Sequence, residues 1–75
     1  MRIYHFSVMF DGSDVRYHGE SMTNSIQLND IVQRAKIKLT EKLKGWKRDG
    51  KDVVFFEVYR FDEDGNEIGI FKFEK

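Results

Sequence analysis

The chain has 75 residues, of which 13 are Lys or Arg and 13 are Asp or Glu; it has no Cys and no Pro, but 11 aromatics. That length bounds it to a single small domain, residues 1–75, and the missing Cys excludes disulfides, thiolate nucleophiles and Cys-ligated metals. No apolar run approaches the roughly 20 residues of a membrane span, and the opening Met1-Arg2-Ile3-Tyr4-His5-Phe6 has no signal-peptide core, so a cytoplasmic location and no membrane contact are expected.

A chain near this size buries only about 60% of the surface that its unfolded form exposes. Its core must be built from aromatic and aliphatic side chains, or be completed by a partner.

The first segment, Arg2 to Phe10, alternates: Tyr4, Phe6, Val8 and Phe10 point one way, and Ile3, His5, Ser7 and Met9 the other. Period two with aromatic and β-branched residues predicts a strand. Asp11-Gly12-Ser13-Asp14 is a turn cluster, and Val15 to Met22 alternates again. A two-residue loop at Gly12-Ser13 sets Phe10 against Val15 and Val8 against Tyr17, which pairs apolar with apolar.

Leu28, Ile31, Val32, Ala35, Leu39, Leu43 and Trp46 then recur at three- and four-residue spacing, the stripe of an amphipathic helix. Asn24 and Gln27 form a capping pair at its start, and Gly45 is its expected stop. Lys42, Lys44, Lys47 and Arg48 lie where the helix dipole favours cations. Ile37 sits about 180° from the stripe and should be exposed.

A third strand is predicted over Asp52 to Phe61 and a fourth over Glu67 to Phe73. Two registers fit the intervening Asp62-Glu63-Asp64-Gly65-Asn66. A three-residue loop with Gly65 in the left-handed region sets Arg60 against Ile68, Val58 against Ile70 and Phe55 against Phe73. A two-residue Asp64-Gly65 turn instead pairs Glu57 with Lys72 and Val58 with Phe71. The expected fold is α+β in the order ββαββ, a four-stranded, largely antiparallel sheet with the helix packed on one face. The pattern does not determine whether the first strand lies beside the fourth, as in a β-grasp.

One helix covers one face. Phe6, Val8, Phe10, Val15, Tyr17, Val54, Phe56, Val58, Ile68 and Ile70 are expected to meet it. The other face would carry Ile3, His5, Met9, His18, Val53, Phe55, Glu57, Tyr59, Phe61, Phe71 and Phe73, far more apolar than an ordinary solvated face. Phe55, Tyr59, Phe61, Phe71 and Phe73 are the candidate contacts of a homodimer or a protein partner.

The zero net charge is a cancellation. Residues 1–33 carry −2, residues 34–51 carry +6 and residues 52–75 carry −4. Arg34, Lys38, Lys42, Lys47 and Arg48 are the candidate basic face of the helix, able to follow a phosphate backbone or simply to be solvated. His5 and His18 share a strand face with Glu20 opposite His5, but no third strong ligand or nucleophile accompanies them. Asp62, Asp64 and Asn66 imitate the first ligands of a calcium loop, yet Glu67 replaces its Gly and Phe73 its bidentate Glu. No catalytic residue, metal or cofactor is expected, and the chain reads as a non-enzyme.

The opening Met1-Arg2-Ile3-Tyr4-His5-Phe6-Ser7-Val8, followed by a short turn and an amphipathic helix, resembles small accessory proteins of bacteriophages and mobile elements, anti-CRISPR inhibitors among them. The resemblance implies a protein that binds and inhibits or modulates a larger host complex. The element order is also similar to that of β-grasp domains. A protein-interaction module is therefore expected, with nucleic-acid binding through the basic helix, residues 34–48, as the alternative.

Overall fold

A computed structural model describes residues 2–43 and 52–75, with side chains over 2–41 and 52–75. The elements are β1 (Arg2–Phe10), β2 (Tyr17–Thr23), α1 (Leu28–Leu43), β3 (Val53–Phe61) and β4 (Glu67–Glu74). They form one four-stranded sheet in the order β2-β1-β3-β4, every neighbouring pair antiparallel. The helix packs on one face. The expected α+β class and ββαββ order are therefore those observed. The sheet is not a β-grasp, because β1 lies between β2 and β3, away from β4.

The first hairpin takes the expected register, with Val8 opposite Tyr17 and Phe6 opposite Gly19. The turn spans Phe10–Ser13 and not the expected two-residue Gly12-Ser13 loop: Gly12 has φ 73°, and Ser13 donates its N–H to the Phe10 carbonyl at 3.1 Å. Pairing starts later than the alternation suggests. Val15 precedes β2 and is 53% exposed instead of facing Phe10 from within the ladder. Gly19 has a packing reason: a Cβ there would overlap Phe6 Cζ and lie 2.9 Å from Cε1 and Cε2.

Ile31, Val32, Ala35 and Leu39 of α1 are buried, as their spacing requires, and Ile37 is exposed. Leu28, in the first turn, is half exposed. The start of the helix is capped differently from the expected Asn24–Gln27 pair. Gln27 accepts the first helical bond, from the Ile31 N–H, while its own N–H donates to Ser25 Oγ at 3.1 Å. Ser25 Oγ in turn reaches Asp30 Oδ2 at 2.8 Å, and Asp30 lies in the first turn, where the dipole favours an anion. The Leu43 side chain, Gly45, Trp46 and the lysines at 44 and 47 fall outside the described residues.

Two one-residue slips decide which side chains reach the helix. Between β1 and β3, Met9 faces Phe55 but Phe10 faces Val53, so Val54 is the extra residue. The slip turns Val53 into the core at 4% exposure, where the alternation put Val54. Between β3 and β4, both candidate registers occur. Near the turn Arg60 faces Ile68; beyond a slip at Ile70, Val58 faces Phe71 and Glu57 faces Lys72.

This corrects the placement of Phe71 and Phe73. Direct cross-strand partners share a face, so Phe71 and Phe73, opposite Val58 and Phe56, lie on the helix side. Phe71 packs against the core, its ring 6.2 Å from that of Phe56, while Phe73 is 39% exposed.

The core is Tyr4, Phe6, Val8, Phe10, Ile31, Val32, Ala35, Leu39, Val53, Phe56 and Val58, with Tyr17, Ile70 and Phe71 packed on it. Burying each large apolar side chain contributes about 1.5–3 kcal/mol. One polar atom opposes this: Ser21 Oγ is buried with no hydrogen-bond partner among the described residues.

Candidate functional site

The face of the sheet turned away from α1 is the candidate site, and the pairing registers lay it out in rows. Glu20, His5, Tyr59 and Gly69 form one row running from the β2 edge to the β4 edge. Beside it, toward one end, lie Met22 opposite Ile3, and Phe61 opposite Glu67. On the other side come His18, Ser7, Glu57 and Lys72, then Met9, Phe55 and Glu74.

Three rings meet in the middle of the apolar rows. His5 stacks beside Tyr59 with centroids 5.5 Å apart and planes 20° from parallel. Phe61 meets both edge-on, at 5.1 Å from His5 and 5.6 Å from Tyr59. Offset stacks and T-shaped contacts satisfy the ring quadrupoles, so the cluster holds its shape without a covering layer. Ile3, Met22 and Phe61 around it are 50%, 56% and 49% exposed. Ile3 and Phe61 line a shallow depression with Arg2 and Arg60. Ser7 is buried although it lies on this face, because a small side chain sits below its larger neighbours.

The other end of the face is polar. The Arg16 guanidinium lies 4.6 Å over the Phe55 ring and donates to Met9 Sδ at 3.8 Å. Lys72 Nζ is 5.8 Å from the same ring and pairs with Glu74 at 3.4 Å. His5 Nδ1 is 3.7 Å from Glu20 Oε1, an ion pair only when the imidazole is protonated. Glu20, Glu57, Glu67 and Glu74 stand among Arg16 and Lys72, with Arg2 and Arg60 beside Ile3 and Phe61, so both signs of charge are mixed around the rings. Burial pushes the Tyr59 phenol above its ordinary pKa; Glu67 and Glu57 add to the rise, and Arg16 opposes it.

Of the residues expected on this face, Phe55, Tyr59 and Phe61 are brought together with Ile3, His5 and Met9. Phe71, Phe73 and Val53 are not, for the reason of register given above. Met22 and Gly69 are additions. Met22 continues the His18, Glu20 alternation and could have been found from it. Gly69 follows from the three-residue-loop register, which sets it opposite Tyr59 before the slip at Ile70.

The basic candidates lie elsewhere. Arg34 and Lys38 are exposed on α1, four residues apart, and Lys38 pairs with Glu41 at 3.6 Å. The side chains of Lys42, Lys47 and Arg48 lie outside the described residues. The helix and the aromatic cluster flank opposite faces of the sheet, so Arg34 and Lys38 do not extend the aromatic surface.

Among the described residues no three His, Asp or Glu side chains gather as a metal site. The Asp62 carboxylate is turned to its own loop. Oδ1 accepts the N–H groups of Asp64 and Asn66 at 2.9 and 2.8 Å, and Oδ2 accepts Asn66 Nδ2 at 3.3 Å. Among the described residues no helix is long and apolar enough to cross a membrane. No family model matches the chain, and no curated protein or solved structure matches it either.

Proposed function

We propose that this chain is a non-enzymatic protein-binding module that docks its partner on the open face of the sheet. The observation that carries this reading is the half-exposed row of Ile3, Met22 and Phe61 beside the His5–Tyr59–Phe61 ring cluster. Large apolar groups gathered on one face gain roughly 25 cal/mol per Å² when a partner covers them. Aromatic anchors at the centre of a patch with a polar rim are the usual anatomy of a protein interface. Inhibition or modulation of a larger host complex is the role that the resemblance to phage accessory proteins adds. A nucleic-acid strand could stack bases on the same rings, but carboxylates are mixed with the cations around them, and Arg34 and Lys38 stand on the helix side.

The test is affinity capture from a host lysate with the wild-type chain, Phe61→Glu and Lys38→Glu, followed by reconstitution of the captured complex from purified components. The expected partner is a protein that is lost with Phe61→Glu and kept with Lys38→Glu. Loss with Lys38→Glu alone, in a form removed by nuclease, would replace this reading by nucleic-acid binding.

A further inference from the structure

We propose that β4 pairs edge to edge with β4 of a second copy, antiparallel about a two-fold axis between Ile70 and Phe71, so that two four-stranded sheets become one.

β4 is an outer strand, and among the described residues no strand lies along its free edge. The helix leaves it largely uncovered, because α1 lies chiefly over β2 and β1. A free edge of eight residues is a template for another strand. The two faces of β4 decide which strand fits. Glu67, Gly69, Lys72 and Glu74 lie on the open side, opposite Phe61, Tyr59, Glu57 and Phe55. Ile68, Phe71 and Phe73 lie on the helix side, and Ile70, the extra residue of the slip, packs against the core there too. From Glu67 to Glu74 the faces therefore run open, helix, open, helix, then helix, open, helix, open. The order is the same from either end.

An unbroken strand lacks this symmetry, because an axis between two of its residues opposes side chains of opposite faces. The slip at Ile70 removes that conflict. The axis sets Ile70 against Phe71, Ile68 against Phe73, Gly69 against Lys72 and Glu67 against Glu74 of the second copy, each pair on one face. Four apolar residues from each chain then form a single row. In one chain Ile68, Ile70 and Phe71 are only half-buried, and Phe73 is 39% exposed. Apolar cross-strand pairs of this kind stabilise a sheet. Setting Ile70 against itself would instead oppose Ile68 to Lys72 and Glu67 to Phe73. The other edge, β2, has Tyr17, Gly19, Ser21 and Thr23 on its helix side and offers no such row.

An edge lysine commonly guards against pairing. Lys72 leans back over β3, its Nζ 5.8 Å from the Phe55 ring and 3.4 Å from Glu74. The axis stands perpendicular to the sheet, so the two helices lie away from it and the two open faces lie side by side. The contact does not use Ile3, Met22 or Phe61, and its failure would leave the reading of the open face standing.

Sedimentation equilibrium is measured for the wild-type chain, Phe73→Lys, Phe61→Glu, Glu67→Lys and the double variant Glu67→Lys/Glu74→Lys, with amide exchange followed at low and high protein concentration. The wild type is expected to dimerise reversibly with a Kd below about 1 mM, and protection of β4 amides to rise with concentration while that of β2 does not. Phe73→Lys should weaken the dimer about tenfold, its fold checked by unchanged Phe6 and Val8 resonances. Glu67 against Glu74 is the one repulsive pair, so Glu67→Lys should tighten the dimer about fivefold, and the double variant, which sets Lys against Lys, should return it toward the wild type.

Monomers of both the wild type and Glu67→Lys at about 1 mM would overturn the proposal. So would association that grows past the dimer, in which β4 pairs with β2 of the next copy. A dimer weakened by Glu67→Lys would overturn the axis between Ile70 and Phe71, and one lost with Phe61→Glu but kept with Phe73→Lys would move the second copy to the open face.

Discussion

On the helix side of β1, Tyr4, Phe6, Val8 and Phe10 are at most 2% exposed, while on the other side of the same strand Ile3 is 50% exposed. The Ile3 end of the open side is apolar as well, unlike an ordinary solvated sheet face. The difference lies in how the rings are used. Under α1 Phe56 lies between Phe6 and Phe71, its centroid 6.4 and 6.2 Å from theirs, and aliphatic side chains close the cluster off from solvent. On the open face the rings contact one another and leave their outer surfaces to solvent. Among its described residues the domain has no second helix over that face, so the covered side carries most of the burial.

That division is tested most sharply by removing one ring from each side. Phe56→Ala should cost about 3–5 kcal/mol, because a fully buried ring leaves a cavity. Domains of this length have only about 4–11 kcal/mol in total, so the variant should be partly unfolded at 25 °C by circular dichroism. Phe61→Ala loses a half-exposed ring and its two edge contacts, about 1 kcal/mol, a fall in Tm of about 4–8 °C. Equal losses would mean that the open face belongs to the core, and would remove the ground for reading it as an interface.

The two edge strands repeat the contrast with a single residue type. Gly19 on β2 lies under the Phe6 ring, whereas Gly69 on β4 faces open space. Phe6 is 1% exposed and cannot retreat. Gly19→Ala should therefore cost about 1–3 kcal/mol through overpacking. Gly69→Ala should be neutral or stabilise by about 0.5 kcal/mol, since a residue with ordinary φ gains by restricting the unfolded chain. Urea midpoints of the two variants measure the difference. A loss at Gly69 equal to that at Gly19 would show that packing holds Gly69 as well.

Much of this contrast was legible in the residues, and the missing part has one physical origin. Alternation in Arg2–Phe10 and the three- and four-residue spacing from Ile31 to Leu39 placed the covered side of β1 and α1 correctly. The pairing of Val8 with Tyr17, which keeps apolar residues on one side, gives the register of β2, although the turn is centred one residue earlier than Gly12-Ser13. Val53, Phe71 and Phe73 were assigned to the wrong face because period-two counting assumes an unbroken ladder. One extra residue, Val54 or Ile70, inverts every assignment beyond it. The Asp62–Asn66 loop offered two registers, and the chain uses one on each side of Ile70. Strand order was also beyond reach, since the contact of β1 with β3 spans the whole helical segment and leaves no local mark.

The smallest effect is expected at the turn that sets which β4 residues reach each face. Gly65 has φ 85°, and its N–H donates to the Asp62 carbonyl at 3.1 Å. The Asp62 carboxylate closes the loop, and the Asn66 N–H that it accepts holds its pKa below the ordinary aspartate value; the Asn66 amide, the Asp64 N–H and the charge of Arg60 act in the same direction, against desolvation. A folded pKa below the unfolded one means that this stabilisation is fully present above the unfolded pKa, near pH 4, and is lost as the pH falls through the folded value. Asp62→Asn keeps an oxygen acceptor in the turn and removes the titration. Its Tm should lie close to that of the wild type near pH 3, fall slightly behind near pH 6, and change less between the two. Because the group is solvent-exposed, the change should be small beside the loss at Phe56. If the variant also moves the Gly69 resonance, the carboxylate supports the Tyr59–Gly69 pairing as well as closing the hairpin; an unmoved Gly69 would confine Asp62 to the loop.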